Sequence, residues 1–122
     1  MLLARENIRP QALPSEEHAV PELGGSVLVQ GMSMPQLLAF TSARRRLTEP
    51  RGDETPAQAA ERASGELLAL LLHTCVLAAD MQPVYSVAEW GAFGVAHPEA
   101  ALRLWDVATR VSGQQGEHEK KA

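Results

Sequence analysis

From residue 67 to residue 79 the chain runs thirteen residues, LLALLLHTCVLAA, without a formal charge. At helical spacing Leu67, Leu71, Cys75 and Ala78 form one face, Leu68, Leu72, Val76 and Ala79 the next, and Leu70 and Leu77 the far side. A helix with a single apolar stripe packs against one neighbour, whereas a helix apolar on every side has to be enclosed. The run is shorter than the ~20 apolar residues that a membrane-spanning helix requires, and His73 and Thr74 interrupt it. No membrane association is therefore expected. Thr55 followed by Pro56 supplies a cap and a first helical residue upstream. A central helix is expected over 56–80, with the other elements arranged as its cover.

The cover has to come from one domain, because 122 residues suffice for a single core without disulfides or metal. Leu and Ala dominate and β-branched residues are scarce, which favours helix. A net charge of −4 argues against a domain whose affinity rests on neutralising phosphates, so no nucleic-acid partner is expected. Cys75 is the single cysteine and lies inside the apolar run, where a thiol behaves as a small hydrophobe. The opening MLLARENIRP carries only a short apolar stub before its charges, not the apolar core of an export signal. A host-cytoplasmic location is expected.

Ahead of the central helix, Pro10 and Pro14 punctuate an extended segment. Two short extended runs then flank Gly24-Gly25, the pattern of a β-hairpin over 17–31 with Val27 and Val29 on one face and Leu28 on the other. Pro21 restricts the first arm to an edge strand or irregular chain. An isolated hairpin is marginal in water, so this one requires a helix beneath it, a longer sheet or a second subunit. Ser33 and Pro35 open a helix over 35–47 that closes in Arg44-Arg45-Arg46, and residues 48–56 read as a polar loop. Beyond the central helix, Ser86 and Glu89 have capping-box spacing for a short helix over 86–95 carrying Trp90 and Phe93. Pro98, with His97 as its cap, opens a helix over 98–112 with Ala101, Leu104, Trp105, Ala108 and Val111 on one face. Residues 114–122 are expected to be a disordered tail. The fold class is thus mainly α: a single domain over 1–113 with about four helices around a central apolar one, preceded by a short N-terminal β-hairpin.

Little here points to catalysis. His73 and Cys75 are two apart, which on a helix aims them in different directions, while zinc ligands on one helix sit three or four apart. No nucleophile elbow, phosphate loop or dinucleotide fingerprint is present. No enzyme activity, cofactor or metal is expected. The arginine triplet reads either as a cationic edge for an acidic partner, or as a solvated helix end that complements the macrodipole. The apolar surplus likewise reads two ways: a core that closes on itself, or a face left for a protein partner. The candidate partner-binding residues are Val27 and Val29 on the hairpin, Leu68 and Leu72 on the central helix, and Arg44, Arg45 and Arg46. A second function class is a small helical DNA-binding regulator that uses the arginine patch.

The order of these motifs resembles that of the tail assembly chaperones of long-tailed bacteriophages, the siphophage families especially. The likeness rests on LARENIRP at 3–10, on VPELGGSVLVQGMS at 20–33, on CVLAAD and QPVYS at 75–80 and 82–86, and on VATRVSG at 107–113. The turn at Asp80-Met81-Gln82-Pro83 departs from the pattern, because the family's usual glycine is missing there, and Leu23 stands where the hairpin aromatic is usual. The resemblance implies a non-enzymatic protein, absent from the mature virion, that binds the tape measure protein and keeps it from aggregating. It also implies recruitment of tail tube protein through a longer product made by ribosomal frameshifting. Glu119-Lys120-Lys121-Ala122 is a place where A-rich lysine codons would support such slippage. Self-association into a homo-oligomer is expected to complete the cover of the central helix.

Overall fold

The computed structural model describes residues 2–7 and 12–113. The expected tail at 114–122, and with it the frameshift reading of residues 119–122, lies outside the described residues. The described chain contains four α-helices and a three-stranded antiparallel sheet. β1 is Ser15–Val20, β2 Gly25–Gln30, α1 Met34–Leu47, α2 Pro56–Cys75, β3 Val76–Leu77, α3 Val87–Ala96 and α4 Pro98–Val111.

The helix starts follow local side-chain chemistry. At α1, α2 and α3 the cap hydroxyl of Ser33, Thr55 or Ser86 accepts from the backbone N–H three residues on, while Gln36, Gln58 or Glu89 reaches back to the cap's own N–H. Each box satisfies two of the donors that a helix start leaves without partners. At α4 the expectation fails, since His97 occupies the cap position but its side chain makes no capping bond. Its backbone N–H instead donates to Phe93 O at 2.7 Å to close α3, and its ring lies 5.1 Å from that of Phe93.

The central helix is shorter than the sequence suggests. It ends at Cys75; Val76 is extended at φ −93° and ψ 113°, and Val76–Leu77 pair with β2 as Val29↔Val76 and Leu28↔Leu77. The expected helix over 76–80 is therefore wrong. A short apolar run reads alike as buried helix and buried strand, and the outward backbone groups of β2 decide between them by requiring a partner. Both β3 residues are buried. The chain then turns back, with Ala78 N–H donating to Gln82 O at 2.9 Å and Val84 N–H to Val76 O at 3.2 Å. Met81 carries φ 66° in this turn, the left-handed conformation that glycine adopts without strain.

The hairpin also differs in detail from the expected two-residue Gly-Gly turn. Pro21–Leu23 form one turn of 3-10 helix, Gly24 takes φ 84° and closes it by donating to Pro21 O at 2.9 Å, and Gly25 already belongs to β2. Pro21 thus lies in the connection and not in a strand. The sheet has both of the supports that an isolated hairpin lacks: a third strand, and helices α2 and α4 packed against it.

The core gathers the buried side chains of α2 (Leu67, Leu71, Leu72, Cys75), the sheet (Val20, Val27, Val29, Val76), α3 (Trp90, Phe93) and α4 (Leu104, Val107, Ala108, Val111). Ser112 joins three elements: its hydroxyl accepts from Met32 N–H at 3.1 Å, just before α1, and lies 4.0 Å from Cys75 Sγ at the end of α2. Gly31 makes the closest approach, since a Cβ there would stand 2.4 Å from Val111 O. Ion pairs fasten the periphery. Arg62 holds Glu54 through Nε at 2.9 Å and Nη2 at 3.0 Å, which ties the polar loop to α2. Arg110 on α4 pairs with Glu16 on β1, and Arg103 with Glu22.

Candidate functional site

α1 and α4 both pack on α2 but scarcely on each other, so a strip of α2 stays open between them. The strip forms a groove of about 470 Å³, within the ~300–1,000 Å³ typical of ligand pockets. Leu67, Leu68 and Leu71 with Ser64 and Gly65 come from α2, Phe40 and Arg44 from α1, and Leu102, Trp105 and Thr109 from α4. Gly65 deepens it, because nothing lies within 4 Å of where its Cβ would be. Leu102 is 57% exposed, and Leu68 and Trp105 are half-buried, so the apolar lining reaches water.

Arg44 is the one charged residue lining the groove. It lies one turn from Phe40 on α1, with its guanidinium carbon 5.9 Å from the Phe40 ring centroid, within reach of a cation–π attraction. The triplet does not act as one patch. Successive residues on a helix project about 100° apart, and Arg46 lies on the other side of α1. There it lines a second, more polar hollow of about 550 Å³ with Gln30, Gln36, His73 and Thr74. Arg45 is exposed.

Of the residues singled out by sequence, Leu68 and Arg44 meet in the groove. Val27 (7% exposed), Val29 (0%) and Leu72 (0%) do not belong to any outer face. The hairpin face that carries the two valines is turned to the helices, and Leu72 points into the core. Reasoning from sequence missed Phe40, Gly65, Leu71, Leu102 and Trp105 as a set. Two signals were available for part of it: a glycine in mid-helix, unfavourable on propensity alone, and Leu102, a leucine off the apolar stripe of α4.

His73 and Cys75 have structural partners. His73 Nδ1 lies 2.9 Å from Tyr85 O, and because a carbonyl only accepts, Nδ1 carries the proton and donates. The bond ties the end of α2 to the segment that leads into α3. Burial pushes the Cys75 thiol up to about 11, with a smaller opposing effect from the hydrogen bond to Ser112. A thiol held protonated is a poor nucleophile and a poor metal ligand. Among the described residues no group of three or more His, Cys, Asp or Glu side chains could hold a metal ion, and no helix is long and apolar enough to cross a membrane.

No protein-family model and no curated protein matches the chain. Among solved structures, the bacteriophage HK97 tail assembly chaperone is similar, with a TM-score of 0.56 and 20% sequence identity over 80% of this chain and 84% of that one. The likeness is one of fold.

Proposed function

We propose that the chain is a non-enzymatic phage tail assembly chaperone that binds the tape measure protein through the groove between α1, α2 and α4. The observation that carries the reading is the groove itself: a cleft floored by leucines and walled by Phe40 and Trp105, with a single cation at its edge. Such a cleft suits the apolar face of an amphipathic helix, which presents side chains at i, i+3, i+4 and i+7. A long helical client in need of temporary cover has many such faces. The fold shared with the HK97 tail assembly chaperone supports assigning that client to phage tail assembly. In this reading the protein acts in the host cytoplasm and is left out of the finished particle, and tail tube protein is recruited by a longer form of the chain.

Co-expression tests the reading. A tape measure fragment that aggregates alone should stay soluble with this chain and co-elute with it, and Trp105→Ala together with Leu102→Ser should abolish both effects. A fragment that remains insoluble and fails to co-elute would refute the assignment. The DNA-binding alternative gains nothing from the arginines, which fan around α1 into separate surroundings.

A further inference from the structure

We propose that Arg44 makes the groove selective for its client: the helix docked there carries a carboxylate one turn beyond its apolar stripe, at the end beside Gly65, and a lysine in that place is rejected. This selectivity rests on the groove being the docking surface argued above. It adds the chemistry by which one amphipathic helix is preferred to another.

The place of Arg44 along the groove follows from how the polar loop is tied down. Arg62 Nη2 donates to Glu49 O at 3.1 Å, just past the end of α1. The last turn of α1 therefore lies beside Arg62, one turn before Gly65 on α2. Arg44 belongs to that last turn, since its carbonyl accepts from Thr48 N–H where α1 closes, and it stands at the Ser64–Gly65 end of the groove. From Ser64 to Leu71 the floor runs ~10 Å at the helical rise. An apolar stripe from i to i+7 has the same length, so a client that covers the floor brings the turn beyond its stripe to the end where Arg44 stands.

Charge complementarity then specifies what that turn carries. Arg62, Arg103 and Arg110 each hold a glutamate of their own chain, whereas among the described residues no carboxylate lies within ion-pair distance of Arg44. No acidic residue lines the groove either, so a chain of net charge −4 presents to its client the opposite sign. Complementing the α1 macrodipole does not account for the placement, since Arg45 and Arg46 serve that helix end equally. The guanidinium is also held over the Phe40 ring, 5.9 Å from its centroid, and a guanidinium stacked on an aromatic face keeps its N–H groups free at the edge for a planar carboxylate. Arg44 remains exposed, so the pair gains what a solvent-facing ion pair gains, which discriminates between clients more than it anchors them. The leucines and Trp105 supply the affinity.

The test uses the full chain and three synthetic helical peptides of ~15 residues. Each has leucine at i, i+3, i+4 and i+7, and they differ only at i+11, which is Glu, Gln or Lys. On that side of the stripe the carboxylate and the negative end of the peptide's macrodipole meet the cation together. Titration calorimetry at low salt should rank the peptides Glu, Gln, Lys in falling affinity, with Glu over Lys by at least about fivefold. Arg44→Gln should remove the Glu-over-Gln preference and Arg44→Glu should reverse the order. Arg45→Gln changes the net charge by the same amount but lies outside the groove lining, so it should keep the wild-type order. Equal binding of all three peptides would overturn the selectivity and leave the groove as a docking surface. A preference that survives Arg44→Gln, or that Arg45→Gln abolishes as fully, would overturn it as well. Failure of every peptide to bind would overturn the selectivity and the groove together. Selective peptide binding beside a tape measure fragment that stays insoluble would uphold the selectivity and refute only the identity of the client.

Discussion

Gly65 gives the sharpest test of the groove, because it separates folding from binding at one position. It lies inside α2, its φ is not positive, and nothing stands within 4 Å of where a Cβ would be. An alanine there should gain the ~0.5–1 kcal/mol by which alanine exceeds glycine in a helix interior. For a chain of this size that corresponds to a rise of about 2–6 °C in Tm. Gly65→Leu should also keep the helix, since leucine is a good helix former, but its side chain would project into the space between Phe40 and Trp105. A client deprived of one buried apolar side chain loses ~1.5–3 kcal/mol, a drop in affinity of at least about tenfold. The assays are guanidinium unfolding followed by circular dichroism for stability, and co-elution with a tape measure fragment for binding. Destabilisation by Gly65→Ala would show that the floor of the groove is not open. Unaltered client binding by a stable Gly65→Leu would show that the client sits elsewhere.

Further outcomes follow from other contacts. Gly31→Ala should destabilise the fold by about 3 kcal/mol, because the new methyl meets the rigid Val111 carbonyl at 2.4 Å; a denaturant midpoint equal to wild type would refute the close approach. Met81→Gly should raise stability by ~1 kcal/mol by relieving the left-handed strain at φ 66°, read from the same unfolding curves. Cys75 is 1% exposed and should react with a thiol reagent at pH 8 only as fast as the chain unfolds; immediate stoichiometric labelling would contradict its burial. The folded thiol is raised to about 11, so the unfolded chain ionises first as pH rises through its ordinary value. Stability should fall by about 1–2 kcal/mol between pH 8 and pH 10, and Cys75→Ala should flatten that slope. The Glu54 carboxyl is shifted the other way, held low chiefly by its bond from Arg62. Its contribution is present at neutral pH and lost as pH falls through the lowered value, so Arg62→Gln should lessen the chain's sensitivity to acid.

Much of this architecture is legible in the linear sequence, because caps and turns are local chemistry. Ser33 with Gln36, Thr55 with Gln58 and Ser86 with Glu89 each lie three residues apart, and a box so spaced favours a helix start through bonds made within four residues. The apolar run at 67–79 likewise requires a central buried element. What spacing could not reveal is where that element changes type, since Val76 and Leu77 suit a helix or a strand equally. Only the outward groups of β2, distant in sequence, make them a strand. Burial of Val27, Val29 and Leu72 was decided in the same way, by which side of the sheet and of α2 the other helices came to cover. The groove is wholly tertiary. Phe40, Gly65, Leu102 and Trp105 belong to three helices, and nothing in any one of them shows that α1 and α4 would pack beside α2 without closing over it. The sequence by itself determined where the helices begin and that α2 must be enclosed; the tertiary packing decided which strip of α2 stays open, because a gap depends on the distance between elements and no local pattern encodes that distance.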